Sequence, residues 1–385
     1  MQHEFQRLNK EHLIQEAERR SKVSAKRNTK FEEALEILIE SINREARLNS
    51  LGQKLTIANF TRIVTNKLLL DRELENFPKS ENDEKKKHLF IVGLPRTGTT
   101  LLHNLLALDL NSYYIRLCDG QFPVPASHPD HTEKKIAKSE QIIQKMYELT
   151  PSLSKLHYFK PTSLEECGWL FEYQLLDPSF HLRMHVPTYY NWLLAYPRHL
   201  ESYIKYRDLL VYLGQHYSFN HWILKGPRHL IFLKALLNAF PNAGIIWLHR
   251  DPCQAIPSMC SLSHLLRSNY SDVSNPQEIG TIWFEAILKN LRTALDTRRT
   301  VGDERFYDLQ YSDLMSNPIQ DVTKIYSHFG LTFSPEMESA VKSWLTNNPQ
   351  NKQGKHEYST QQFGLEVETI RKEFAFYTDY FNIPI

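Results

Sequence analysis

The chain has 385 residues, and its 46 basic and 44 acidic side chains leave a net charge of +2. That near balance excludes nucleic-acid binding driven by bulk charge, while leaving room for a local phosphate site. With 41% apolar residues, a chain of this length buries a large core without disulfide or metal staples. Cys118, Cys167, Cys253 and Cys260 lack the spacing of a metal or redox motif and fit free thiols in a reducing compartment. The N-terminus is too polar for a signal peptide, and no window of 18 apolar residues marks a membrane span. The expectation is a soluble cytoplasmic protein with no stable membrane insertion.

Residues 1–80 are predicted to form a helical N-terminal extension. Phe31, Leu35, Leu38 and Ile42 recur at three- and four-residue intervals, which places them on one helix face. Ile57, Phe60, Ile63 and Leu68 to Leu70 continue the pattern. These helices have three possible roles: covering the core, shaping an acceptor entrance, or pairing with a second copy as a homodimer. The run KSENDEKKK, Lys79 to Lys87, is a solvated connector.

From residue 87 to 385 the pattern changes to that of one α/β domain. Short apolar runs at 88–94, 222–225, 245–249 and 305–310 are predicted buried strands. Helical patterns lie between them, at 229–240, 252–267 and 319–329. Alternating strands and helices predict a parallel sheet with helices on both faces. A helical insertion at about 118–220 is rich in aromatics. Tyr147, Tyr158, Phe159, Trp169, Phe171, Tyr173, Tyr189, Tyr190 and Trp192 make it the expected acceptor cleft. The tail, 334–385, reads as helix, loop, helix.

The first strand runs into Gly93-Leu94-Pro95-Arg96-Thr97-Gly98-Thr99-Thr100 and then an amphipathic helix. Glycines allow a sharp turn close to an anion, and the helix N-terminus presents unpaired N–H groups to it. The loop departs from the nucleotide-hydrolase pattern GxxxxGK[ST], because Thr99 stands where that pattern has lysine. No later strand ends in a magnesium-holding carboxylate; the strand at 245 ends in His249-Arg250. The loop therefore suits an anion that arrives without a metal.

A second anion site is predicted at Arg250, at a strand end beside a helix capped by Asp251 and opened by Pro252. Ser258 follows two turns into that helix. The other reading of Arg250 is a simple ion pair with Asp251 or a surface carboxylate. Lys225, before Gly226-Pro227, either caps its strand or reaches a ligand. Tyr311 is expected to pack at a helix start. Ser163-Leu164-Glu165-Glu166 fits a helix capping box.

GLPRTGTTLLHNL resembles the 5′-phosphosulfate loop of sulfotransferases that use PAPS (3′-phosphoadenosine 5′-phosphosulfate), and HRDPCQAIPS resembles their 3′-phosphate motif. LKGPRHLIFLKALLNAFPNAGIIWLHRDP, YSDLMSNP and GKHEYSTQQFGL look like later blocks of the large bacterial branch. The resemblance implies a P-loop-type α/β fold, PAPS as co-substrate, no metal, and sulfuryl transfer to a hydroxyl of a small-molecule, lipid or carbohydrate acceptor. It assigns Arg96, Thr97, Gly98, Thr99 and Thr100 to the 5′ side and Arg250 and Ser258 to the 3′-phosphate. Lys355 and His356 would close over the nucleotide.

The acceptor hydroxyl needs a general base. His103, His128, His157, Glu165 and Glu166 are the candidates. The resemblance points first to His157, with Glu166 as the alternative base or as the group that orients the histidine. His103 is read as packing. Two other functions compete: a P-loop kinase or nucleotide hydrolase, and a non-catalytic adenosine bisphosphate-binding protein.

Overall fold

A computed structural model of the chain describes residues 7–75, 77–78, 86–128, 132–151, 159–349 and 359–384. Five strands form one parallel sheet: β1 (Lys87–Gly93), β2 (Ser112–Tyr113), β3 (His221–Lys225), β4 (Gly244–His249) and β5 (Phe306–Gln310). Their order is β2-β3-β1-β4-β5. Ile91 pairs with Lys225 on one side of β1, and Gly93 pairs with Leu248 on the other. Parallel pairing puts the C-terminal ends of β1, β3, β4 and β5 along one edge. In open α/β sheets that edge is where ligands bind.

Alternation within each strand feeds two cores. Phe90 and Val92 of β1, Trp222 and Leu224 of β3, and Ile245 and Trp247 of β4 point into one. Leu89 and Ile91, Ile223, and Ile246 and Leu248 point into the other. With both faces covered, the strands are apolar throughout, as short apolar runs require. The smaller core is covered by helices Thr99–Leu106, Pro318–His328 and Pro335–Asn347. The larger one receives the N-terminal helices, the 168–214 region, helices Pro252–Tyr270 and Pro276–Val301, and the C-terminal helix Val367–Thr378.

The four predicted strands are all present. The two-residue β2 and the 26-residue helix Pro276–Val301 are additional. The helix predicted at 229–240 is two, Arg228–Ile231 and Leu233–Ala239, broken at Phe232, whose ψ of 35° is not helical. The Ser163–Glu166 capping box is absent. Leu164 instead forms an antiparallel bridge with Arg116, and the next helix begins only at Gly168. Among the described residues no helix is long and apolar enough to cross a membrane.

Helices Lys10–Ser21, Thr29–Glu45 and Ser50–Glu75 bury Leu13, Leu35, Leu38 and Phe60 in the same core as β4. A buried charge cluster ties the third of them to the insertion. Glu172 accepts from Arg62 at 3.0 Å and from Arg183 at 2.6 Å, and Arg62 also donates to the Gln121 carbonyl. Removing the shared carboxylate leaves two half-buried guanidinium groups without their counter-ion, a loss that reaches about 3–5 kcal/mol for a fully buried pair. Glu172→Ala is therefore expected to lower the urea midpoint by up to that equivalent; an unchanged midpoint would show that the cluster does not join the N-terminal helices to the rest.

Candidate active site

β1 delivers the chain to the ligand edge, and the loop 94–98 turns it into helix Thr99–Leu106. Two glycines make the turn. Gly98 has φ 87° and Gly93 φ 156°; a side-chain carbon on Gly93 would lie 2.8 Å from the Leu248 carbonyl oxygen. Arg96, between them, also adopts a left-handed φ of 67°. For any residue other than glycine such a conformation costs about 1–3 kcal/mol and persists only when its surroundings hold it.

Two contacts do so. The Thr97 hydroxyl donates to the Leu94 carbonyl at 2.7 Å, and Arg250 Nη1 donates to the Arg96 carbonyl at 2.6 Å. The Thr97 side chain is thus spent inside the loop. The first intrahelical bond runs from Leu102 N to Gly98 O. The N–H groups of Thr99 to Leu101 precede it and have no helical carbonyl to use. They mark the mouth of an anion site.

Lys225 ends β3 and is 3% exposed. Its Nζ donates to Thr100 Oγ1 at 3.2 Å and pairs with Glu166 Oε1 at 3.2 Å. The lysine therefore reaches the loop rather than capping its strand. It brings together a hydroxyl on the anion-binding helix and a carboxylate 59 residues away in sequence. His103 lies one turn further along that helix, fully buried. Burial, reinforced by the charge of Lys225, pushes its pKa down to about 3. A neutral, enclosed imidazole supports the loop and is not placed to take a proton from an acceptor.

Glu165 and Glu166 face different ways. Glu165 is buried and accepts from Trp169 Nε1 at 3.2 Å. Glu166 is partly exposed and borders a cavity of about 120 Å³. Gly93, Leu94 and Pro95 of the loop form the neighbouring wall. The cavity continues among Leu182, Leu230, Ile231, Met259, Trp283 and Ile287. None of the described aromatics expected to form the acceptor cleft lines it. Phe171, Tyr173, Tyr189 and Tyr190 are spent in the core, for example Phe171 stacked on Tyr206 at 4.6 Å. A larger cavity of about 570 Å³ opens beside His88, near the start of β1 and away from the loop that follows the strand's other end.

On the other side of the loop, Arg250 follows β4. Asp251 caps helix Pro252–Tyr270 by accepting from Cys253 N at 2.8 Å, so it is not Arg250's partner. Arg250 instead donates from Nε and Nη2 to Gln254 Oε1, and its guanidinium lies 4.1 Å from the Tyr311 ring centroid. Three of its five N–H groups are engaged, counting the bond to Arg96. Tyr311 also backs the loop: its ring is 3.1 Å from where a side chain on Gly98 would begin. Ser258 is buried within the helix beyond, at 5% exposure.

Loop, Lys225, Glu166 and Arg250 are thus gathered on one edge. His128 packs instead on His216, with ring centroids 5.0 Å apart. His157, Lys355 and His356 lie outside the described residues. Sequence reasoning left Lys225 undecided; its signal was its place at a predicted strand end, level with the loop.

The Sulfotransferase family model matches residues 88–335, from the start of β1 to the start of helix Pro335–Asn347. The omega-hydroxy-beta-dihydromenaquinone-9 sulfotransferases Stf3 of Mycobacterium bovis and Mycobacterium tuberculosis are 29% identical over 295 residues, 73% of this chain and 70% of theirs. The crystal structure of sulfotransferase STF1 from M. tuberculosis H37Rv matches 96% of this chain and 99% of its own, with a TM-score of 0.84 and 28% identity. Sulfotransferase STF9 from Mycobacterium avium matches all of this chain and 99% of its own with a TM-score of 0.87; at 23% identity this likeness speaks to the fold. The matched segment encloses the anion-binding loop, Lys225, Glu166 and Arg250, and the chain belongs to the sulfotransferase family as a PAPS-dependent transferase.

Proposed function

We propose that the protein transfers the sulfuryl group of PAPS to the hydroxyl of an apolar small molecule seated in the cavity beside the loop. One observation carries this reading. The cavity is lined mainly by apolar side chains, among them Leu230, Met259 and Trp283, with Asp177, Arg228 and Asn290 also at its wall, and where it meets the loop it presents the Glu166 carboxylate, paired with Lys225. An apolar body fits such a wall, and a hydroxyl fits its polar end. The mycobacterial relatives are named for a hydroxylated menaquinone, an alcohol of the same apolar class.

On the donor side, the N–H groups of residues 97–100 and the Arg96 guanidinium hold the 5′-phosphosulfate. As the S–O bond to the 5′-phosphate breaks, negative charge grows on the bridging oxygen. Fixed donors aimed at that oxygen lower the barrier without reorganising, and each is typically worth about 10²–10³ in rate. Lys225 is the second cation of this group. It is already in place because Thr100 and Glu166 hold its ammonium. The two N–H groups of Arg250 that have no partner among the described residues take the 3′-phosphate, with the Ser258 hydroxyl beside them.

On the acceptor side, Glu166 takes the hydroxyl proton as the acceptor oxygen bonds to sulfur. Lys225, 3.2 Å away, orients the carboxylate. His157 is the other candidate base. The N-terminal helices, residues 1–80, and the catalytic unit, 87–385, act as one body built on a shared core.

Four outcomes test this reading. Adenosine 3′,5′-bisphosphate without magnesium is expected to raise the Tm, by the mass-action relation for a ligand that binds only the folded state. ATP with magnesium is expected to do so far less; the reverse ranking would indicate a kinase or hydrolase instead. Labelled sulfate should pass to long-chain alcohols, and a protein that binds bisphosphate yet transfers to no alcohol would be a sensor. Arg96→Ala should cut kcat about 10²-fold or more while weakening bisphosphate binding much less. Equal losses in the two would contradict its transition-state role. Glu166→Gln should abolish the acidic limb of the pH–rate profile, where the rate rises as the base loses its proton, while His157→Ala preserves it; the opposite pattern assigns the base to His157.

A further inference from the structure

β4 and β5 end level with each other, with His249 paired to Gln310. The next residue on each strand belongs to the stacked pair Arg250 and Tyr311. Both strand-end residues are bonded to the same stretch of the C-terminal segment. Gln310 Nε2 donates to the Phe381 carbonyl at 2.7 Å. The His249 ring is fully buried, stacks on Phe381 with centroids 3.8 Å apart, and lies 3.0 Å through Nδ1 from Tyr377 Oη.

The other ring nitrogen fixes the direction of these bonds. His249 Nε2 is 2.9 Å from Asp308 Oδ1, and both Asp308 oxygens also accept from Arg298 at 2.7 Å. Burial raises the Asp308 pKa, but bonds from His249 and Arg298 outweigh it and hold the carboxyl down at about 2. As an ionised carboxylate, Asp308 only accepts, so Nε2 carries the proton and Nδ1 accepts from the Tyr377 hydroxyl. The Tyr377 hydroxyl thus holds the ring of the residue immediately before Arg250 in the chain. The bonds from Arg298 through Asp308 and His249 to Tyr377 fix the backbone that leads into the arginine assigned to the 3′-phosphate.

We propose that Tyr377 is a positioning residue for Arg250, and that the segment 377–381 thereby sets selectivity for nucleotides carrying a 3′-phosphate. This rests on the reading of Arg250 given above. A side chain in a phosphate site works only when its own supports hold it within a fraction of an ångström. Here the support from Tyr377 lies on a helix about 130 residues further along the chain.

The test is a pair of dissociation constants measured by calorimetry, one for adenosine 3′,5′-bisphosphate and one for adenosine 5′-monophosphate, which lacks the 3′-phosphate. Tyr377→Phe removes one hydroxyl. It should weaken bisphosphate binding about 3- to 10-fold, the usual worth of one hydrogen bond, and leave monophosphate binding unchanged. Asp308→Asn, which removes the acceptor that fixes the His249 tautomer, should produce the same selective loss and carries the test if Tyr377→Phe does not fold. Arg250→Ala is the control and should abolish the preference. Equal losses for both ligands, or none, in Tyr377→Phe and Asp308→Asn would overturn the proposal while Arg250 keeps its role. A preference that survives Arg250→Ala would overturn the role of Arg250 and the proposal with it.

Discussion

The N–H groups at the start of helix Thr99–Leu106 have no carbonyl within the helix to receive them, and the site is arranged around that lack. They are worth most to an anion when nothing else competes and when the turn before them is rigid. Both conditions are met by neighbours rather than by the loop itself. The left-handed Arg96 would relax if left alone, but its carbonyl is held by Arg250 and the following Thr97 closes the turn onto Leu94. Gly98 sits against Tyr311, so the loop and Arg250 share one aromatic support.

The same edge orders the chemistry from one side of the sheet to the other. Lys225 at the end of β3 lies beside the loop after β1, and Arg250 follows β4 on its far side. Glu166 is not on a strand at all. It reaches the edge because Leu164 bridges to Arg116 and Cys167 N donates to the Lys225 carbonyl at 2.8 Å, which lays the 164–167 segment along β3. The apolar cavity begins where this segment meets the loop. Donor cations, a carboxylate and an apolar wall thus converge because parallel strands end together, not because they are close in sequence.

Features carried by local pattern were legible before the fold was known. The loop was, because scarce glycines and a short strand-to-helix transition leave few other uses for such a sequence. Asp251 and Pro252 were legible as a cap, and the structure gives them that role. Features that depend on long-range packing were not. Ser163 to Glu166 has the spacing of a capping box, but strand-like pairing with Arg116 overrides it. The aromatics of the insertion promised a cleft, yet large rings gain by stacking on one another in the core, as Phe171 does on Tyr206, and the one ring in the cavity wall, Trp283, comes from outside the insertion. The meeting of Lys225 with Glu166, and of His249 with Tyr377, joins segments that no local window contains.

A crystal structure of the protein with adenosine 3′,5′-bisphosphate tests the central claim most directly. The account predicts the 5′-phosphate within hydrogen-bonding distance of the backbone N–H groups of residues 97–100 and the 3′-phosphate on Arg250. A bisphosphate bound elsewhere, with the loop 94–98 empty, would contradict it.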